Sequence, residues 1–144
     1  MKGETDKVKE LYTAMRQQKV KTDEYLIEKM MDYFAVVEPS QALLLLEDFK
    51  RDGGTPTGLI YTLALAGCTR LRRARAIYQE AAKALKADKE EKAKYSPIMK
   101  LIIARLMALN SLKADAIDML KNLQTLDLTK WSQYRSFSSI IKVS

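Results

Sequence analysis

The stretch ALLLLEDF, residues 42–49, carries the pattern that decides the fold of this chain. The small residue Ala42 is followed by apolar residues three, four and seven positions later, a spacing that places all of them on one face of a helix. A small residue on such a face lets a second helix approach closely. The same pattern begins again at Val8, Ala74 and Ala116, with successive separations of 34, 32 and 42 residues.

An apolar helix is predicted before each of the last three of these helices, at residues 25–36, 59–66 and 98–109. Start signals support this division, because Thr57 has the residue type of an N-cap and Pro39 and Pro97 suit a first helical turn. The unit is therefore a helix hairpin of about 34 residues, which cannot bury its apolar face alone and must stack on neighbours. We expect an all-α fold, an α-solenoid of antiparallel helix hairpins with about three and a half repeats.

Five segments follow from this spacing. They are a half repeat at 1–20 formed by the second helix of a hairpin, a repeat at 21–54, a repeat at 55–94 with an extended second helix or linker, a repeat at 95–127, and a tail at 128–144. In the tail, Trp131, Tyr134 and Phe137 are spaced three apart, which predicts a short helix that caps the last hairpin. The alternative is a tail that becomes ordered on a partner.

The composition excludes several classes of protein. The sequence has no His and a single Cys, Cys68, so it contains no His/Cys zinc site, no internal disulfide and no His-based catalytic triad. Five Gly and three Pro are too few for a turn-rich β-sandwich, and no apolar run reaches the length of a membrane span. We expect a protein that is not an enzyme and that needs no cofactor or metal. Cys68 is expected to be an ordinary buried residue.

Positive charge is concentrated in the middle of the chain. The net charge is +7, and residues 70–100 hold 10 basic and 4 acidic side chains. Leu71, Ala74 and Ile77 are expected to take the buried face of the helix, which turns the charges outward. A face of this kind can bind RNA phosphates or an acidic partner. The predicted contact residues are Arg70, Arg72, Arg73, Arg75, Lys83 and Lys86.

Two connecting loops resemble a known repeat signature. Residues 15–23 read MRQQKVKTD and residues 49–57 read FKRDGGTPT, and both are similar to the pentatricopeptide signature Met-x-x-x-Gly-x-x-Pro-Asp. Gly53 and Pro56 match the signature in the second copy, whereas Lys19 and Thr22 depart from it in the first. Residues 2–8 also resemble the turn in the middle of such a repeat. Residues 73–80 resemble a tetratricopeptide or half-a-tetratricopeptide repeat as much as they resemble a pentatricopeptide repeat. The resemblance as a whole extends from residue 1 to about residue 126.

Membership of the pentatricopeptide family implies an RNA-associated, non-catalytic protein that is a structural part of an organellar ribonucleoprotein or ribosome. It implies a mitochondrial location, with plastid or cytoplasm as alternatives, and a chain that is a piece of a longer solenoid. The family reads single-stranded RNA with polar residues near the start of the first helix of each repeat. The matching positions, which place the possible base contacts, are Asp23, Glu28, Thr57 and Thr62.

A second way of counting the repeats, backward from the small residues, moves these positions to Ile27, Leu59 and Leu101, which cannot hydrogen-bond a base edge. In this family the second helices line the convex outside. The resemblance therefore favours docking of the Arg-rich helix on structured RNA over threading of a single strand. The alternative function is a protein–protein interaction scaffold of tetratricopeptide type with no RNA role.

Overall fold

The computed structural model describes residues 2–18, 23–121, 131 and 133–137. Within these residues the secondary structure is helical and contains no strand, so the predicted all-α class is confirmed. Residues 19–22 of the first loop, and most of 122–144, lie outside the described part. The helices are α1 (Lys2–Gln17), α2 (Glu24–Val37), α3 (Pro39–Arg51), α4 (Gly58–Ala66), α5 (Leu71–Ala84), α6 (Lys89–Leu109) and α7 (Lys113–Leu120), and the backbone at 135–137 is also helical.

Two predicted helix starts are confirmed. Thr57 is the N-cap of α4, and its side chain accepts a hydrogen bond from the backbone N–H of Ile60. Pro39 is the first residue of α3, where its missing N–H costs no helical hydrogen bond. Gly67 ends α4, as expected of a glycine that follows an apolar helix.

A third predicted helix start is wrong. Pro97 does not begin a helix but lies inside α6, which starts at Lys89. The Asp88 side chain accepts from the N–H of Glu91, and the acidic first turn suits the positive end of the helix dipole, so this earlier start is the stronger one. In the stretch expected to be an extended second helix or a linker, α5 ends at Ala84 and α6 begins at Lys89. Residues 2–8, which resemble a turn, belong to α1.

The helices pack in a regular order of neighbours. Helix α2 packs against α3 and α4, α4 packs against α5 and α6, and α6 packs against α7. The helices can be taken in the sequential pairs α2–α3, α4–α5 and α6–α7. The second helix of one pair contacts the first helix of the next, since α3 touches α4 and α5 touches α6. Helix α4 therefore lies between α2 and α6 in the middle of the fold.

The small residues lie where these helices meet. Ala42 and Ala74 are fully buried and Ala116 is buried, as predicted, and Val8 is partly buried against the same core. At the end of α4, a Cβ built on Gly67 would lie 3.4 Å from the Cβ of Ala42 and 3.6 Å from the Cα of Ala35. An alanine at position 67 would therefore already make van der Waals contact with Ala42, so the helices are closely packed at this crossing.

Polar contacts join α1 to α3 and α3 to α5. Tyr12 donates a hydrogen bond of 2.7 Å to Asp48, and one turn further along both helices Arg16 pairs with Asp52. Between α3 and α5, Arg73 contacts Glu47 at 3.0 Å, and Lys50 contacts Glu80 at 3.0 Å. In both sets of contacts, a residue further along one helix pairs with a residue further along the other. Helices α1, α3 and α5 therefore run in the same direction.

Candidate functional site

The cationic residues of α5 and its ends point into solvent. The opposite face of the helix, with Ala74, Ile77 and Ala81, is buried, and Leu71 and Tyr78 are partly buried against the same core. This confirms the predicted inward face. All six predicted contact residues are exposed, namely Arg70, Arg72, Arg73, Arg75, Lys83 and Lys86.

Most of this charge is not neutralised within the described part of the chain. Arg73 is the one member that forms a salt bridge there, with Glu47 on α3. Arg72 and Arg75 lie three residues apart on one helix, where like charges repel each other and raise the local positive potential. Guanidinium groups held in this way can bind the oxygens of phosphates or carboxylates in pairs. We call the exposed cations Arg70, Arg72, Arg73, Arg75, Lys83 and Lys86 the α5 basic face.

Three of the four residues predicted to contact bases are engaged in hydrogen bonds within the protein. Asp23 is the N-cap of α2, where its side chain accepts a hydrogen bond of 2.8 Å from the N–H of Leu26, and Thr57 caps α4. Thr62 is fully buried, and its hydroxyl donates to the carbonyl oxygen of Gly58 at 2.7 Å, so it presents nothing to a base. We therefore remove Thr62 from the candidate contacts.

Glu28, the fourth residue, belongs to an acidic neighbourhood at the start of α2 and α6. Burial raises its pKa, and the carboxylates of Glu24 and Glu91 raise it further. The pKa of Tyr95 is raised by burial first and then by Glu91 and Glu28. Carboxylates collected in this way repel a phosphate backbone, so this side of the molecule is unfavourable for threading an RNA strand.

The three tail aromatics form one cluster against α6. Trp131 and Phe137 are buried and Tyr134 is partly buried. The indole ring of Trp131 lies 5.4 Å from the ring of Tyr95 and 5.7 Å from that of Phe137, between centroids. Tyr134 is 5.3 Å from Phe137. Separations of this size are typical of stabilising aromatic pairs.

The same segment is tied to α2 by a residue that the sequence analysis did not single out. Asp32 accepts hydrogen bonds from the backbone N–H of Arg135 at 3.0 Å, from the N–H of Ser136 at 2.9 Å and from the hydroxyl of Ser136 at 2.8 Å. The Arg135 guanidinium lies 5.7 Å from the ring centroid of Tyr33. These contacts attach the segment to α6, which belongs to the last predicted hairpin, and also to α2. We call Trp131 and residues 133–137 the strap.

Cys68 is buried, and its thiol donates to the carbonyl oxygen of Ala64 at 3.4 Å. Burial raises the pKa of this thiol to about 11, which disfavours the thiolate that a nucleophile or a metal ligand requires. Across the residues that the structure describes, no group of three His, Cys, Asp or Glu could hold a metal ion, and no helix is long and apolar enough to cross a membrane.

Comparison with known proteins adds no family to this picture. No family model matches the sequence, and no match is found among the curated proteins or the solved structures.

Proposed function

We propose that this chain is a non-catalytic helical-repeat protein that binds structured RNA through the phosphates, with the α5 basic face as the contact surface. The observation that carries the proposal is the outward display of six cations around one helix, of which Arg73 alone is engaged in a salt bridge within the described residues. Phosphate contacts of this kind supply most of the sequence-independent affinity of proteins for nucleic acids.

The spacing along α5 suits a continuous backbone. Arg72 and Lys83 are eleven residues apart, which is about 16 Å along a helix axis. A duplex presents many phosphates over that length, so several cations can be engaged at once. Binding of single strands usually relies on exposed aromatic platforms, whereas Tyr78, the aromatic residue of α5, is partly buried in the core.

The repeat character of the chain is part of the same proposal. The common direction of α1, α3 and α5, together with buried small residues at matching positions, supports a solenoid of stacked helix hairpins. The loops at 15–23 and 49–57 support the pentatricopeptide type. From this type we propose a place in a mitochondrial ribonucleoprotein or ribosome.

The test is the salt dependence of binding to an RNA hairpin of about 16 base pairs. We expect the logarithm of the binding constant to fall linearly with the logarithm of salt concentration, by about 0.7–0.9 for each phosphate contact. The variant Arg72→Glu/Arg75→Glu should bind at least about 10-fold more weakly at 0.1 M salt, roughly the effect of one charged hydrogen bond. Its salt slope should be lower by about 1.4–1.8.

The matched control is Lys7→Glu/Lys113→Glu, which makes the same change in net charge at exposed positions on α1 and α7. Equal losses in the two variants would assign binding to net charge alone and would contradict an interface on α5. Binding that does not respond to salt would contradict the phosphate contacts.

The alternative function, a protein-binding scaffold of tetratricopeptide type, is favoured by a different surface. Ile117 is 61% exposed and Leu120 is 38% exposed, and they lie one turn apart on α7. Apolar side chains displayed together on a helix often mark a contact with another protein. An isolated chain that binds no RNA but associates with a protein partner through α7 would support this alternative.

A further inference from the structure

Arg73 is the one cation of the α5 basic face that has a carboxylate partner in the described part of the chain. Its Nη2 donates a hydrogen bond of 3.0 Å to Oε1 of Glu47 on α3. Both side chains are well exposed, 44% for Arg73 and 39% for Glu47, so a ligand in solvent can reach the pair. A phosphate that approaches Arg73 therefore meets a carboxylate that is already bound there.

The contact with Glu47 leaves most of the Arg73 guanidinium free. A guanidinium has five N–H donors, and the hydrogen bond to Glu47 comes from Nη2 alone. A phosphate that binds another edge of the same group brings its negative charge close to the Glu47 carboxylate. Because the two anions repel each other at such short range, the carboxylate and the phosphate compete for Arg73.

A second cation lies beside Glu47. The Nζ of Lys50 is 3.6 Å from the same Glu47 oxygen that Arg73 contacts, and it is 3.0 Å from each carboxylate oxygen of Glu80. Lys50 follows Glu47 by three positions on α3, so the two side chains are neighbours on the helix surface. If a ligand takes Arg73, Glu47 still has a cation next to it.

The neighbours of Arg73 favour the pair with Glu47 when no ligand is present. Arg72 and Arg75 are exposed and have no carboxylate partner among the described residues. Release of Arg73 would add a third unpaired guanidinium within residues 72–75, which like-charge repulsion opposes. A polyanion removes this opposition, since its phosphates neutralise several arginines at once.

We propose that Glu47 is an internal competitor of RNA, which holds Arg73 in the free protein and yields it to a phosphate when RNA docks on α5. This role rests on the proposed RNA function, and it names the residue that limits the affinity of the α5 basic face. A nucleic-acid backbone is favoured over an acidic protein as the ligand, because closely spaced phosphates can neutralise neighbouring arginines together.

The test measures binding of an RNA hairpin of about 16 base pairs to variants of the full chain. Glu47→Gln keeps the length of the side chain and removes its charge. It should bind the hairpin about 2- to 5-fold more tightly at about 0.1 M salt, the factor that corresponds to an exposed ion pair. Glu47→Asp keeps the charge but withdraws the carboxylate from Arg73, so it should retain part of this gain.

The matched control is Glu10→Gln, which makes the same change in charge at an exposed position of α1. It should bind RNA as the unmodified chain does, because charges distant from the contact are screened by salt. Circular dichroism checks that each variant keeps its helical content.

A double-mutant cycle separates competition for Arg73 from simple repulsion of RNA by Glu47. In an Arg73→Gln background the pair is absent and Lys50 remains beside Glu47. The gain from Glu47→Gln should therefore fall by at least about half in that background. A gain that is equal or larger would overturn the competition and leave RNA binding by α5 intact.

Failure of this role for Glu47 and failure of RNA binding give different results. If Glu47→Gln and Glu10→Gln bind alike while Arg72→Glu/Arg75→Glu still weakens binding, the proposed function holds and the role of Glu47 is wrong. If neither the unmodified chain nor Glu47→Gln binds the hairpin, both proposals are overturned. A larger gain for poly-glutamate than for the hairpin would overturn the choice of RNA as the ligand.

Discussion

The hydroxyl of Tyr12 on α1 donates a 2.7 Å hydrogen bond to a carboxylate oxygen of Asp48 on α3. Tyr12 is 6% exposed, so this bond joins the first helix to the core from inside. Burial, and then the hydrogen bond to Asp48, raise the pKa of Tyr12 well above its usual range. The Tyr12 hydroxyl therefore contributes to the stability of the fold and stays protonated in the native protein at a pH at which an unfolded tyrosine ionises.

The substitution Tyr12→Phe keeps the ring and removes the donor to Asp48. We expect the free energy of unfolding to fall by about 1.5–3 kcal/mol, the usual contribution of a hydrogen bond to a charged group. Urea denaturation followed by circular dichroism measures the loss. Tyr25→Phe is the control, because Tyr25 is 69% exposed and should change stability by less than about 0.5 kcal/mol. Equal stabilities of the two variants would show that the bond to Asp48 contributes nothing.

Alkaline pH should destabilise the protein. Burial, followed by the neighbouring Glu80, raises the pKa of Tyr61 to about 12, whereas an unfolded tyrosine ionises near ~10. Between these two values the unfolded chain loses a proton that the native chain keeps, so the free energy of unfolding falls as pH rises. Tyr12, Tyr95 and Tyr134 act in the same direction.

Ultraviolet absorbance at alkaline pH measures this effect directly. These four tyrosines should ionise at a higher pH in the native protein than in urea, where their pKa is near ~10. Native and urea-unfolded titration curves that superimpose would contradict the burial of the four rings.

The crossing at Ala42 should not tolerate a larger residue. Ala42 is fully buried and lies against Gly67, so Ala42→Leu forces the backbones apart. We expect a loss of about 1–3 kcal/mol in the free energy of unfolding. Ala82→Leu, at an exposed position of α5, is the matched control. A leucine at position 42 that leaves stability unchanged would mean that the helices do not meet there.

Two glycines at helix starts should respond in opposite ways to alanine. A Cβ on Gly58, the first residue of α4, would overlap a ring carbon of Tyr95, so Gly58→Ala should destabilise the protein by about 1–3 kcal/mol. A Cβ on Gly3 meets nothing within 4 Å, so Gly3→Ala should stabilise it by about 0.4–1 kcal/mol. The difference between the two melting temperatures checks the contact of α4 with α6, and shifts of the same sign would count against it.

Local features of this protein were predictable from the sequence because they depend on neighbours within about two helical turns. The all-α class, the Thr57 cap and the Pro39 start follow from residue type and position in a helix. The exposed basic face of α5 follows from the periodicity of Ala74 and Ile77. The same local reading misplaced the start of α6, since Pro97 outweighed the cap at Asp88.

The contacts between helices that are distant in the sequence could be seen only in the tertiary structure. The sequence places the strap beside the last hairpin, where Trp131 packs on Tyr95, and the structure adds an anchor on α2 at Asp32, 104 positions away from Ser136. Thr62 has the residue type of a base contact, yet the neighbours of α4 bury it. No local period encodes such contacts, because they arise where the chain brings distant helices together. Sequence alone therefore determined which helices form and which of their faces are apolar, whereas the packing of the helices decided which polar side chains are buried and which stay exposed to solvent.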